Sequence, residues 1–221
     1  MSSSRFAELR ARTNDLRKLL LPARFDPTGS YRHPTRVSTR ALSFRVLAHA
    51  ELEAYFEDRV LEVSLAALRA WQIDRHVSEV TLHLIGFAGR TLELPPSSLS
   101  SADAKRAKEW ATRTTIEDRL SRSVSDFQKR VRVENHGIKE ANLLQMLIPI
   151  GFDISKCDAV FMGSMNAFGE ARGLVAHTSG RAHVRKGVDP KDEYENLRAI
   201  ITSIAPIDEE ISRLLIVANA S

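Results

Sequence analysis

The sequence predicts a mostly α protein: an antiparallel helical bundle with one irregular insertion around residues 74–101, where a β-hairpin is the alternative. Three observations predict it. Apolar side chains at Phe44, Leu47, Ala48, Leu52, Tyr55, Phe56, Val60, Val63, Ala67 and Trp71 recur at spacings of three and four. Aromatic residues are 6% of the chain against 43% hydrophobic residues, so the core must rest on Leu, Val, Ile and Ala. Strand-like alternation is confined to the insertion. The 221 residues suit a single domain, read as an N-terminal helix and linker over 1–34 and a helical domain over 35–221.

The elements follow in order. Ser4 is expected to cap a first helix through Leu9, Leu16, Leu19 and Leu20 that ends near Pro22. A loop from Ala23 to Pro34 contains a turn at Pro27-Thr28-Gly29. The long periodic stretch from Phe44 to Trp71 forms the spine. Val80, Leu82 and Leu84 then alternate, as do Leu92 and Leu94, with Gly86 and Gly89 at a bend. A short helix around 102–111 carries Trp110. The next helix starts near Thr115, burying Ile116, Leu120, Val124, Phe127 and Val131 while Arg119, Arg122, Lys129 and Arg130 face outward.

Asn135-His136-Gly137 stops that helix. Ile138 to Ile150 forms another, apolar at Leu143, Leu144, Leu147 and Ile148 and ended by Pro149 and Gly151. A helix from Cys157 to about His177 is expected to bury Val160, Met165 or Phe161, Phe168 and Leu174. A basic loop follows from Thr178, and a last helix starts near Pro190. Pro206 is expected to kink or interrupt it, because proline has no N–H to donate.

Charge and composition exclude some classes. No apolar run approaches the ~20 residues needed to cross a bilayer. Met1 to Phe6 lacks the apolar stretch of a secretory signal, and the lone Cys157 has no disulfide partner, so the cytoplasm is the expected compartment. Residues 1–50 carry ten Lys and Arg against three acids, and 103–132 carry nine against five. Such blocks can bind a phosphate backbone or simply be solvated helix faces.

Arg172 and His177, five positions apart at the end of a predicted helix, are the candidate pair, and cleavage of RNA is a chemistry that such a pair would suit. RNA holds its own nucleophile, the 2′-hydroxyl beside each phosphodiester. Cleavage needs that proton removed, the leaving 5′-oxygen protonated and the crowded phosphorane stabilised, and no metal is required. Histidine suits the proton transfers near neutral pH. Arginine suits the phosphorane, since its planar fork meets two phosphate oxygens. Residues five apart on a regular helix are rotated by about 140°. Convergence then needs a wrapped Arg side chain, a helix that loosens near Gly173 or after Ala176, or a second chain. A two-fold axis would bring two His177 and two Arg172 around one cleft, so a homodimer is expected.

The wider context resembles a known family. Asn135-His136-Gly137-Ile138-Lys139-Glu140, followed by Leu143-Leu144 and Gly151-Phe152, resembles a stretch upstream of the Arg/His motif in HEPN proteins of the RiboL-PSP type. Phe168 to His177 is similar to their active-site helix. Ala48 to Glu57 is similar to the helix that supplies an acidic residue near that site. The resemblance covers roughly residues 38–180. It implies a helical, often dimeric domain that cleaves RNA without a metal, commonly in toxin or antiviral defence systems. An antitoxin or defence-system partner is a further expectation of it. One position departs: where many such motifs have Asn, Asp or His directly after the arginine, this chain has Gly173.

The roles expected are acid/base chemistry for His177 and phosphate stabilisation for Arg172. Glu53, with Glu51 next in line, would orient one of them. Thr178 and Ser179 contact the phosphate or cap the helix end, and Arg181, Arg185 and Lys186 hold the RNA backbone. No cofactor and no metal site is expected, since Glu51, Glu53, Glu57 and Asp58 lack a companion His/Asp set and read as a solvated face.

The other histidines read as structural. His49 is packed or half-exposed, His136 caps a helix junction, and His76 and His83 have no partner pattern. His183 is a loop residue, Cys157 a buried or helix-start residue, and Trp71 and Trp110 core. The competing functions are a catalytically silent module that binds RNA or protein and a plain helical scaffold.

Overall fold

The computed structural model describes residues 2–88, 115–177 and 188–219, with the side chains of 88 and 174–177 outside that description. Among the described residues every regular element is helical. The α-helices are α1 (Ser4–Leu20), α2 (Pro34–Asp74), α3 (Glu79–Ala88), α4 (Ile116–Lys129), α5 (Glu140–Leu147), α6 (Ala159–His177) and α7 (Pro190–Asn219). A π turn, Arg130–Glu134, extends α4, and a 3-10 turn, Ile148–Ile150, extends α5.

The spine helix α2 is 41 residues long, about 60 Å, and each of the other six helices packs against it. Pro34 starts it at a position where a missing N–H costs nothing. Its end is unusual, because Arg75 takes the left-handed conformation at φ 56° without being glycine. The Arg75 guanidinium lies over the Trp71 ring at 5.3 Å and pairs with Glu117 at 2.7 Å, contacts that tie the strained residue down. Phe44, Ala48, Leu52, Phe56, Val60, Val63 and Ala67 are fully buried, as the periodicity requires. Burial on several sides of one helix is what a central spine demands.

A buried polar cluster ties the chain start to this spine. Asp208 on α7 is wholly buried and accepts from the Ser3 amide at 2.8 Å, the Ser3 hydroxyl at 2.6 Å and the Tyr55 hydroxyl at 2.9 Å. Arg59 lies 3.2 Å from the same carboxylate and donates to Ser212 at 2.8 Å. A buried carboxylate without such partners would cost several kcal/mol. Ser3, one residue earlier than expected, is the cap of α1, accepting from the Phe6 amide.

Other departures have local causes. Glu79–Ala88 is helix rather than hairpin or irregular chain: Val80 and Leu84, one turn apart, are buried, while Leu82 is 62% exposed. Alternation at 80, 82 and 84 mimicked a strand because two of its members also fit helical spacing. The remainder of the insertion and the short helix at 102–111 with Trp110 lie outside the described residues. Ile116 and Val160 are exposed, each in the first turn of its helix, before that helix meets the core. α7 runs through Pro206 without interruption. Ile204, Ile207, Ile211 and Leu214 bury one face across the proline, and that packing offsets the lost hydrogen bond. Thr115 caps α4, and the turn at Pro27 to Gly29 forms with the Gly29 amide donating to Asp26. Gly151 ends the α5 extension at φ 83°, where a Cβ would also lie 2.9 Å from the His83 ring.

Candidate functional site

Three elements meet beside the C-terminal half of α6. α2 contributes His49, Glu53 and Glu57, spaced by four so that they share one face. The extended segment between the π turn and α5 contributes Asn135 and His136. α6 contributes half-buried Arg172.

Asn135 organises the acidic side. Its amide nitrogen donates to Glu57 at 2.9 Å and to Glu53 at 3.4 Å, and its oxygen accepts from Asn142 at 3.0 Å. Burial raises the Glu53 carboxyl above its ordinary range and the neighbouring Glu57 adds to this, while Arg172 and His136 pull it back. His49 sits directly behind. It is 2% exposed, stacks on Phe168 with 6.3 Å between ring centres, and places Nδ1 3.7 Å from Glu53. Burial and then the Arg172 charge push its imidazole down to about 4, so it is neutral at physiological pH.

α6 is held from both sides. Arg45 donates to the Ala171 carbonyl at 3.4 Å while its guanidinium pairs with Glu193 on α7. On the opposite side Asn166 accepts from the Glu140 amide at 2.9 Å, joining α6 to the start of α5. Gly169 lets these elements close, since a Cβ there would come within 2.9 Å of the Lys139 side chain. At Gly173, by contrast, a Cβ would meet nothing within 4 Å, so packing among the described residues does not demand glycine.

Two adjoining cavities result. One, about 510 Å³, is bordered by His49, His136, Lys139, Asn142, Arg172 and Gly173. The other, about 350 Å³, is bordered by Glu53, Glu57, Asn135, His136 and Arg172. Cations, carboxylates and a free imidazole around an open cleft can hold a phosphodiester and move protons.

The structure brings Arg172 and Glu53 together at the smaller cavity. Glu51 does not join them: it faces α1 and pairs with Arg12 at 3.6 Å. His177 closes α6, which stays α-helical through Gly173, so of the alternative routes to convergence a loosening at that glycine is not the one taken. Its side chain, and Thr178, Ser179, Arg181, Arg185 and Lys186, lie outside the described residues, as does His183. His136 makes no capping bond; it is exposed at the cleft. Asn135 lay in the stretch that carries the family resemblance and Glu57 at helical spacing from Glu53, but nothing in the sequence gave either a role at the cleft, and Asn142 had no signal, because the fold alone brings 135–142 to α2.

A family model for RiboL-PSP-HEPN domains matches residues 7–213. The chain belongs to the RiboL-PSP-HEPN family. No curated protein and no solved structure matches. The match runs from α1 into α7, a longer span than the 38–180 of the sequence resemblance. Among its described residues no cluster of three or more His, Cys, Asp or Glu could hold a metal ion. No described helix is long and apolar enough to cross a membrane.

Proposed function

We propose that this HEPN domain is a metal-independent endoribonuclease that cleaves RNA by attack of the 2′-hydroxyl. The observation that carries the reading is the meeting of Arg172 and Glu53 at one cleft, in a family member whose motif helix ends at His177. Arg172 neutralises the phosphorane, His177 moves a proton, and Glu53 orients the guanidinium from α2. A homodimer places two motif helix ends at a shared groove, with Arg181, Arg185 and Lys186 holding the RNA backbone and Thr178 and Ser179 at the phosphate. The setting is a cytoplasmic toxin or defence system, with a partner protein that restrains the activity.

The decisive experiment incubates the purified protein with mixed RNA in excess chelator. Cleavage that disappears in His177→Ala, with the helical content retained, supports the reading. Gly173 favours a second one, a silent RNA-binding module, because the position after the motif arginine offers no polar group although it has room for one. Tight RNA binding without cleavage by the wild-type protein would select it.

A further inference from the structure

Two proton transfers accompany 2′-hydroxyl attack, and Arg172 and Glu53 perform neither. An arginine does not give up its proton in this range. Glu53 is half-enclosed and occupied by the Asn135 amide. His49 borders the larger cavity but is only 2% exposed, stacked on Phe168 beside Glu53, and Lys139 pairs with Glu170 at 3.7 Å. Among the described residues one further imidazole stands in the cleft, that of His136.

Among the described residues His136 and Arg172 are the two that border both cavities, so they stand at the seam between them. A phosphodiester lying across that seam meets a guanidinium and an imidazole together. The backbone under His136 is pinned on both sides. Asn135 is held by Glu57, Glu53 and Asn142, while Gly137 and Ile138 are buried. The ring itself is exposed and makes no hydrogen bond to any described residue, with the Glu53 carboxylate as its charged neighbour. A fixed backbone carrying an unengaged ring is the arrangement that proton delivery requires.

We propose that His136 is a catalytic residue, the acid that protonates the leaving 5′-oxygen on the same chain; this rests on the ribonuclease reading above. The 2′-oxygen forms its bond to phosphorus as its proton passes to His177. The bond from phosphorus to the 5′-oxygen breaks, and that oxygen takes the proton from the His136 imidazolium. The products are a 2′,3′-cyclic phosphate and a free 5′-hydroxyl, after which solvent returns both histidines to their starting forms. A second His177 across a dimer axis is the rival source of the acid.

The test compares two substrates in the full chain: an RNA oligonucleotide, and uridine 3′-(4-nitrophenyl phosphate), whose leaving group departs without protonation. His136→Ala and His136→Gln should each lose about 10²–10³-fold on RNA, within the usual range for removal of a general acid. Both should cleave the nitrophenyl ester nearly as fast as wild type, while His177→Ala fails on both substrates. Equal losses on the two substrates, or undiminished RNA cleavage, would overturn the assignment to His136 and leave the ribonuclease reading standing. A wild-type protein inert towards both, or a His177→Ala variant with full activity, would instead defeat that reading and this inference with it.

Discussion

Arg45 on α2 donates to the carbonyl oxygen of Ala171 on α6, 3.4 Å away and one residue before Arg172. The same guanidinium holds Glu193 at the start of α7, and both side chains are largely buried. The motif helix is therefore held by an ion pair that touches no motif residue.

Arg45→Ala should destabilise the protein by about 3–5 kcal/mol, because it strands the Glu193 carboxylate in the interior. In a chain of this size each kcal/mol lowers Tm by roughly 2–4 °C. Adding Glu193→Gln should recover part of the loss. Denaturant melts of the wild type and the two variants check this, and an Arg45→Ala variant as stable as wild type would show that the pair is dispensable.

His49 gives the fold a dependence on pH with a definite sign. Its folded value is about 4, below the ordinary 6.5 of an unfolded histidine. Between those values the unfolded chain binds the extra proton, so this contribution to stability falls as pH drops through that window. The slope is at most about 1.4 kcal/mol per pH unit. Glu53, raised by burial, works in the opposite sense, regaining stability as it protonates. The difference between wild type and His49→Gln isolates the histidine. Melts from pH 7 to pH 4 should converge towards the acid end, and parallel curves would contradict the assignment.

Arg172→Lys should lose about 10²–10³-fold in cleavage although the charge remains, since an ammonium cannot present two fixed donors to a phosphorane. Steady-state rates on one oligonucleotide settle the matter. Near-normal rates would mean that Arg172 supplies only a positive field.

Cleavage should persist in EDTA and leave a 2′,3′-cyclic phosphate or the monophosphate derived from it. A 2′-deoxy or 2′-O-methyl sugar at the cut site removes the nucleophile and should block the reaction. Mass spectrometry of the products reads both points. Efficient cutting of the blocked substrate, or of DNA, would eliminate the mechanism.

The dimer makes a separate prediction about chain mixing. His177→Ala chains combined with Arg172→Ala chains should recover activity, because a heterodimer retains one copy of each residue at the shared groove. Sedimentation gives the oligomeric state and a mixing titration gives the rescue. A monomer, or a dimer without rescue, would refute the shared cleft.

The α-helical class was legible in the sequence because period and burial are local properties. Phe44 to Trp71 repeat at helical spacing, and the helix they form is the one that all the other described helices pack against. Arg172 and Glu53, which the structure places on one cavity, could be picked out for a different reason: the motif helix and the spine each carry a short local pattern that the resemblance rests on. Alternation misled at Val80, Leu82 and Leu84, since three residues cannot separate a period of 2 from one of 3.6.

Only the tertiary structure decided which carboxylates serve the cleft and which histidine stands in it. Glu51 and Glu53 are two positions apart on α2, so one faces α1 and the other faces Asn135. Asn135 is 82 residues from Glu53 along the chain, and only the packing of the segment before α5 against α2 makes them hydrogen-bond partners. His136 read as a cap because its sequence neighbours stop a helix. Its exposure at the seam depends on α6 lying across from it. Helical period is set by neighbours three and four residues away, whereas a cleft is set by whichever helices the core brings together.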